Sequence, residues 1–183
     1  MAQQRLGIIM NGVTGRMGMN QHLIRSICAI RGQGGVALKN GDRVMPDPIL
    51  VGRNADRVQK LAKQHGIARW TTDLNAALKD KKDTLFFDAA TTQLRAELLQ
   101  KAMKAGKDIY CEKPVSETLK DALDLVRAAS MRPKKPARRS MSSFLKPGRK
   151  SLSWTAPCFS PDACAIFAIS TASLRLVAIG FSQ

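Results

Sequence analysis

The chain has 183 residues, a length that fits one domain or one domain with an added segment. Its formal net charge of +16 makes nucleic acid and membrane surfaces partners to consider. The four cysteines and two histidines have neither CxxC nor zinc-finger spacing, so we expect no metal site and predict packed or solvated roles for His22 and His65. The amino-terminal apolar run is too short for a signal peptide, and we expect a cytoplasmic protein with reduced thiols.

In chain order, the hydrophobic pattern predicts alternating strands and helices as far as about residue 130. Predicted strands cover 6–10, 49–52, 68–72, 84–90 and 108–111, and predicted helices cover 19–30, 55–66, 73–80, 92–107 and 116–129. Residues 31–48, rich in Gly and Pro, are predicted to be a long connection, and Ser116 is predicted to cap the last helix. This alternation predicts an α/β fold with a doubly wound parallel sheet, as in Rossmann-type NAD(P)-binding domains.

A glycine-rich turn lies between the first strand and the first helix. Its sequence, NGVTGRMG, places three glycines at intervals of three, whereas the usual dinucleotide fingerprint is G-x-G-x-x-G. Such a turn brings backbone N–H groups and the positive end of a helix dipole to a pyrophosphate. The predicted cofactor-binding residues here are Gly12, Val13, Thr14, Gly15, Arg16, Met17 and Gly18. The alternative is a tight strand-to-helix turn without a ligand.

The end of the second predicted strand indicates which dinucleotide is bound. An acidic residue at this place would bind the 2′-hydroxyl of NAD, but the strand ends in ILVGRN. Arg53 stands where the acid would be, with Asn54 beside it and Arg57 one helical turn later. Guanidinium groups suit a 2′-phosphate, so NADP is favoured and NAD stays open. The alternative is that both arginines are solvated surface charges.

The segment AGKDIYCEKPVSETLKDALDL, with Glu112, Lys113 and Pro114 directly after a strand, resembles the glucose–fructose oxidoreductase and inositol dehydrogenase family (Gfo/Idh/MocA). The resemblance covers about residues 5–130. It implies that Lys113 is catalytic, bonding a substrate hydroxyl or assisting its proton transfer. It also implies that Glu112 lies near the nicotinamide and that Pro114 fixes the turn in cis. Without the resemblance, the residue types alone favour an exposed pair of Glu112 and Lys113. The loop with Thr91 and Thr92 would pass the ribose and phosphates of the cofactor.

The composition changes after Ser130. Residues 131–183 hold 9 of the 30 Lys and Arg, one of the 14 acidic residues and five of the eight prolines. The apolar run 164–181 is interrupted by Arg175 and by Ser and Thr, so we predict no membrane span. We assign residues 1–130 to the dinucleotide-binding domain and residues 131–183 to an irregular basic tail, with the family's substrate domain missing. Out-of-frame translation is the favoured hypothesis for this segment, and a genuine basic tail is the alternative.

Three functions are compatible with these patterns. The first is an NADP-dependent oxidoreductase of the Gfo/Idh/MocA type that acts on a sugar- or polyol-like substrate and is incomplete as written. The second is a nucleotide-binding module without turnover. The third is non-specific nucleic-acid binding through the basic tail, which has no motif for specific recognition.

Overall fold

Strands and helices alternate along the chain, as the hydrophobic pattern predicts. The computed structural model describes residues 2–131 and the backbone of residues 166–169. The strands are β1 (Gln3–Asn11), β2 (Val36–Ala37), β3 (Arg43–Val51), β4 (Arg69–Thr71), β5 (Asp83–Asp88), β6 (Asp108–Glu112) and β7 (Ile166–Ile169). The helices are α1 (Gly18–Cys28), which has π-type hydrogen bonding, α2 (Ala29–Gly32), α3 (Ala55–Gln64), α4 (Leu74–Lys79), α5 (Thr92–Lys104) and α6 (Leu119–Ser130).

The strands form one sheet in the order β2-β3-β1-β5-β6-β7, and β4 also pairs with β3. The pairs β1–β3, β1–β5, β3–β4 and β5–β6 are parallel, whereas β2 and β7 are antiparallel to their neighbours. The chain therefore winds outward from β1 in two directions. Open sheets of this kind bind ligands at the carboxyl ends of the strands, where the strand order reverses. The predicted doubly wound sheet is confirmed.

Strand β3 begins earlier than the sequence predicts. The sequence predicts that residues 43–48 belong to a connection, but they pair in parallel with residues 3–8 of β1. Pro46 and Pro48 lack amide protons, yet they lie between the stretches of β3 that pair with β2 and β4. The carbonyl of Pro46 accepts a hydrogen bond from Arg31 Nη1 at 2.7 Å. The prolines are tolerated because this side of the strand makes no ladder with a described strand.

The sheet has a hydrophobic core on each face. Alternate residues of a strand point to opposite faces, so Ile9 and Phe86 belong to one core while Ile8 and Phe87 belong to the other. Helices α5 and α6 cover the first core through Leu99 and Leu125, and α1 and α3 cover the second. Within residues 2–131 and 166–169, no helix combines the length and apolar character needed to cross a bilayer.

Side-chain caps explain where three helices begin. Asn54 accepts from the amide of Arg57, and Asp73 accepts from the amide of Ala76. The last helix, α6, begins one residue after Thr118, whose hydroxyl accepts from Asp121 N at 3.1 Å. The predicted cap at Ser116 is therefore wrong, because the Ser116 hydroxyl bonds the carbonyl of Thr118 within the preceding loop.

The structure adds one element to the carboxyl-terminal segment. Strand β7 (Ile166–Ile169) pairs antiparallel with β6, where the sequence analysis assigned no regular structure. The rest of the predicted irregular tail, residues 132–165 and 170–183, lies outside the described residues.

Candidate functional site

The glycine turn after β1 fits closely against the loop that follows β5. Gly12 has a φ of +78°, and a Cβ added there would lie 2.4 Å from the backbone nitrogen of Ala90. A Cβ on Gly18 would lie 2.6 Å from the carbonyl oxygen of Gly12, so the start of α1 packs directly on the turn. Both positions require glycine because backbone occupies the space where a side chain would begin.

The start of α1 carries no group that would repel an anion. No side chain caps this helix at Met17, and its first turn contains no acidic residue. Thr14 and Arg16 are exposed beside it, whereas the side chain of Val13 is completely buried in the core. Uncapped amides at a helix start attract negative charge, so the turn has the chemistry of a phosphate site to which Val13 can contribute only backbone.

The end of β3 lies beside this turn. A Cβ on Gly52 would be 3.6 Å from Thr14 Cγ2, so the next residue, Arg53, begins close to the glycine turn. Arg53 and Arg57 are exposed, and neither forms an ion pair with a residue of the described part of the chain. Asn54 has a local task, since its side chain caps α3. The two guanidinium groups therefore remain available to a ligand.

The loop after β5 contributes two predicted site residues. Thr91 is exposed and precedes α5 without accepting a capping hydrogen bond, while Thr92 is half-buried as the first residue of that helix. Ala89, at the start of the loop, donates its amide to the carbonyl of Asn11 at 3.0 Å. The loop is thereby held against the end of β1, next to the glycine turn.

At the turn after β6, Glu112 and Lys113 have different environments. The Lys113–Pro114 peptide bond is cis, as the family resemblance implies. Lys113 is exposed and makes no ion pair with any described residue, and it borders a surface pocket of about 520 Å³ lined by residues 113–119 and Ala122. Glu112 is buried, and its carboxylate Oε1 contacts Nε2 of His22.

His22 is a site neighbour that the sequence analysis missed. Its ring packs against Phe87 at a centroid distance of 4.6 Å and against Tyr110 at 6.2 Å. The prediction of a packed histidine holds for its burial, but nothing local signals a partner 90 residues away. The contact connects α1, which follows the glycine turn, with the end of β6, which precedes Lys113.

A buried ion pair also lies at this edge of the sheet. Asp88, the last residue of β5, accepts hydrogen bonds from Arg95 Nε at 3.0 Å and from Asn11 Nδ2 at 2.7 Å. Both charged side chains are almost completely buried. Neither residue is predicted as a site residue from the sequence. The only available signal was a charged residue ending an apolar strand, followed by an arginine one turn into the next helix.

Cys111 lies within this region without being reactive. Burial raises the pKa of its thiol to about 12, with the nearby Arg95 opposing the rise. The thiol therefore stays protonated at neutral pH and behaves as a packed apolar group. In the described part of the chain, no cluster of His, Cys, Asp or Glu has the arrangement of a metal site.

Comparisons with known proteins agree with this geometry. The model of the "Oxidoreductase family, NAD-binding Rossmann fold" (GFO_IDH_MocA) matches residues 38–136, more than half of the chain. D-xylose dehydrogenase of Paenarthrobacter nicotinovorans is 51% identical over 120 residues, which cover 66% of this chain and 31% of that enzyme. This chain therefore spans about a third of the length of that relative.

Solved structures share the fold. An oxidoreductase domain protein from Kribbella flavida aligns with a TM-score of 0.58 and 26% identity over 69% of this chain and 32% of that one. Levoglucosan dehydrogenase, in complex with NADH and levoglucosan, aligns with a TM-score of 0.57 and 23% identity over 68% of this chain and 32% of its own. On the family match and this fold, the chain belongs to the Gfo/Idh/MocA oxidoreductase family and contains its NAD(P)-binding Rossmann domain.

Proposed function

We propose that this chain is the dinucleotide-binding part of an NADP-dependent oxidoreductase that transfers hydride to or from a sugar- or polyol-like substrate. The observation that carries the proposal is that four loops lie at the carboxyl ends of the parallel strands of one sheet. These loops follow β1, β3, β5 and β6 and present glycine backbone, exposed guanidinium groups, an exposed threonine and an exposed lysine.

The glycine turn and the start of α1 would hold the pyrophosphate. This assignment is supported by the close packing at Gly12 and Gly18 and by the uncapped helix start. Arg53 and Arg57 would bind the 2′-phosphate of NADP through charge-assisted hydrogen bonds. Their exposure and lack of ion pairs with described residues support NADP over NAD.

Bound dinucleotide supplies the hydride acceptor or donor. We assign to Lys113 the hydrogen bond to the reacting hydroxyl or carbonyl oxygen and assistance in its proton transfer. Thr91 would face the ribose. Because Glu112 is buried against His22, its proposed role is to hold the lysine turn in place beside the nicotinamide end of the site.

The sugar-like substrate class comes from the relatives. One is a D-xylose dehydrogenase, and another, from Ensifer adhaerens, is a 1,5-anhydro-D-fructose reductase that is 31% identical over 80 residues. We propose that residues 1–130 form the dinucleotide-binding domain. Because the chain spans about a third of D-xylose dehydrogenase, nucleotide binding without turnover is the second candidate function.

The test is to incubate the full chain with NADP⁺ and D-xylose, or with xylitol as the polyol probe, and to follow NADPH formation by absorbance. Lys113→Ala is the matched variant, since this exposed side chain has no described ion-pair partner whose loss would unfold the protein. We expect NADPH binding by both the parent and Lys113→Ala, and we expect Lys113→Ala to lose whatever turnover the parent supports.

Three outcomes separate the candidates. NADPH binding without turnover by the parent chain would favour the binding module. Equal turnover by Lys113→Ala and the parent would contradict the role of Lys113. Failure of the parent chain to bind either dinucleotide would overturn the proposed function.

A further inference from the structure

We propose that Arg95 is a positioning residue of the dinucleotide site: its single guanidinium sets the spacing between the loop after β5 and the lysine turn after β6. The proposed function is needed for one part of this inference, namely that Arg95 places Lys113 against the cofactor. Its structural part can be tested in the unliganded protein.

The guanidinium of Arg95 is connected to three segments of the chain. Its Nε donates to Asp88 Oδ2 at 3.0 Å, and its Nη2 donates to the carbonyl of Ala90 at 2.6 Å. Its Nη1 donates to the carbonyl of Pro114. The side chain is only 3% exposed, so these bonds form away from competing water.

The two carbonyl groups stand next to predicted site residues. Ala90 directly precedes Thr91, and Pro114 directly follows Lys113. A guanidinium is rigid and planar, with its donors in a fixed arrangement. One group therefore bonds both loops and holds them at a set distance from each other.

The other side of the network leads to the glycine turn. Asp88 is fully buried at the end of β5 and also accepts from Asn11 Nδ2 at 2.7 Å. Asn11 is the residue before Gly12. Hydrogen bonds thus connect Asn11, Asp88 and Arg95 in series and reach all three loops that follow the central strands β1, β5 and β6.

A purely stabilising role would not require this arrangement, because well-packed apolar side chains often stabilise a core as well as a buried ion pair does. What an apolar pair cannot supply is directed bonds to two loop carbonyls. The network is therefore suited to fixing geometry. Residues that orient metal ligands act in the same way, and their loss typically changes affinity or activity by about 10–100-fold.

The chain offers a matched control at the other end of β5. Arg69 donates to the buried Asp83 and to Asp47, but its side chain is 27% exposed and forms no hydrogen bond or ion pair with a described residue of the four site loops. The conservative variants Arg95→Lys and Arg69→Lys both keep the charge and lose the planar fork. They differ in which edge of the sheet they affect.

Two measurements on the full chain test the positioning role of Arg95. The first is amide hydrogen exchange of the unliganded protein, read at residues 89–92 and 113–118. The second is the Kd for NADPH from its fluorescence. We expect Arg95→Lys to speed exchange in both loops and to raise the Kd about tenfold or more, and Arg69→Lys to change both by less than about twofold.

Loop exchange equal to that of the parent in Arg95→Lys would overturn the inference whether or not the parent binds NADPH. If the parent binds NADPH, an Arg95→Lys variant with the same Kd would also overturn the inference. If the parent does not bind, the proposed function fails while faster loop exchange still supports the positioning role. Should Arg95→Lys not fold, the double variant D88N/R95Q removes both buried charges together and is judged by the same two readings.

Discussion

Strand β5 begins and ends with a buried aspartate, and each aspartate pairs with arginine. The two networks connect different parts of the molecule. At the amino end, Asp83 accepts hydrogen bonds from Arg5 and Arg69, whose side chains are 40% and 27% exposed. At the carboxyl end, Asp88 accepts from Arg95, which is 3% exposed. The network at Asp83 lies at the edge of the sheet away from the candidate site, whereas the pair at Asp88 lies at the edge that carries the candidate site.

The remaining donors show what each pair connects. Arg5 and Arg69 also reach Asp47 in β3, so the amino-end network joins strands. Arg95 reaches the carbonyls of Ala90 and Pro114, so the carboxyl-end network joins loops. The comparison indicates that one end of β5 contributes mainly stability and the other contributes both stability and site geometry.

The largest expected effect is the loss of Arg95. Arg95→Gln leaves Asp88 as a buried charge without its guanidinium, and breaking such a pair costs about 3–5 kcal/mol. Arg69→Gln leaves Asp83 with Arg5 and costs about 1.5–3 kcal/mol, the value of hydrogen bonds to a charged group. Urea unfolding of both variants measures the difference. Equal losses at the two ends would break the comparison.

The glycine turn offers a second contrast. Gly12→Ala and Gly41→Ala both force alanine into a left-handed conformation, which costs about 1–2 kcal/mol. At Gly41 the added Cβ meets no described residue within 4 Å apart from its chain neighbours, whereas at Gly12 the backbone of Ala90 must move. We expect a larger loss of stability for Gly12→Ala, together with weaker NADPH binding. Equal stability and binding in the two variants would contradict the packing described here.

Substitutions at Arg53 and Arg57 test the effect of charge on binding without an effect on stability. Because both are exposed and have no described ion-pair partner, Arg53→Ala and Arg57→Ala should leave the melting temperature unchanged. Each should weaken NADPH binding by about 1.5–3 kcal/mol and leave NADH binding nearly as it was. Arg127→Ala, an exposed arginine on α6, is the control. Equal effects on the two dinucleotides would argue against recognition of the 2′-phosphate.

The smallest expected effect is on acid stability. Burial would raise the pKa of Asp83, but hydrogen bonds and charges from Arg69 and Arg5 outweigh it and hold the pKa below its usual range. The carboxylate therefore stabilises the fold above about pH 4, and this contribution is lost as the pH falls through the lower folded pKa. Asp83→Asn should be less stable at neutral pH and should show a flatter decline in urea midpoint below about pH 4. An unchanged decline would contradict this account.

The sequence predicts the sheet well because apolar strands and amphipathic helices alternate from residue 6 onward. It fails at residues 43–48, where Pro46 and Pro48 look like breakers and only the pairing with β1 shows them to be strand. It also assigns the last cap to Ser116, whereas Thr118, two residues later, directly precedes the first helical residue.

The sequence predicts the loops of the candidate site but not the buried residues that hold these loops in place. Local motifs mark the glycine turn, Arg53 and Lys113, because their chemistry depends on a few adjacent residues. The contact of His22 with Glu112 and the bonds of Arg95 depend on how distant segments pack, and no local pattern records that packing. In the sequence, Arg95 reads as one more polar position on an amphipathic helix.

The most direct test of the central claim, that the carboxyl edge of this sheet binds NADP, is to titrate the full chain with NADPH and with NADH by fluorescence. The account predicts saturable binding of both, tighter for NADPH by about tenfold or more, because one charge-assisted contact to the 2′-phosphate is worth about 1.5–3 kcal/mol. No binding of either dinucleotide would contradict the claim, and tighter binding of NADH would contradict the roles of Arg53 and Arg57.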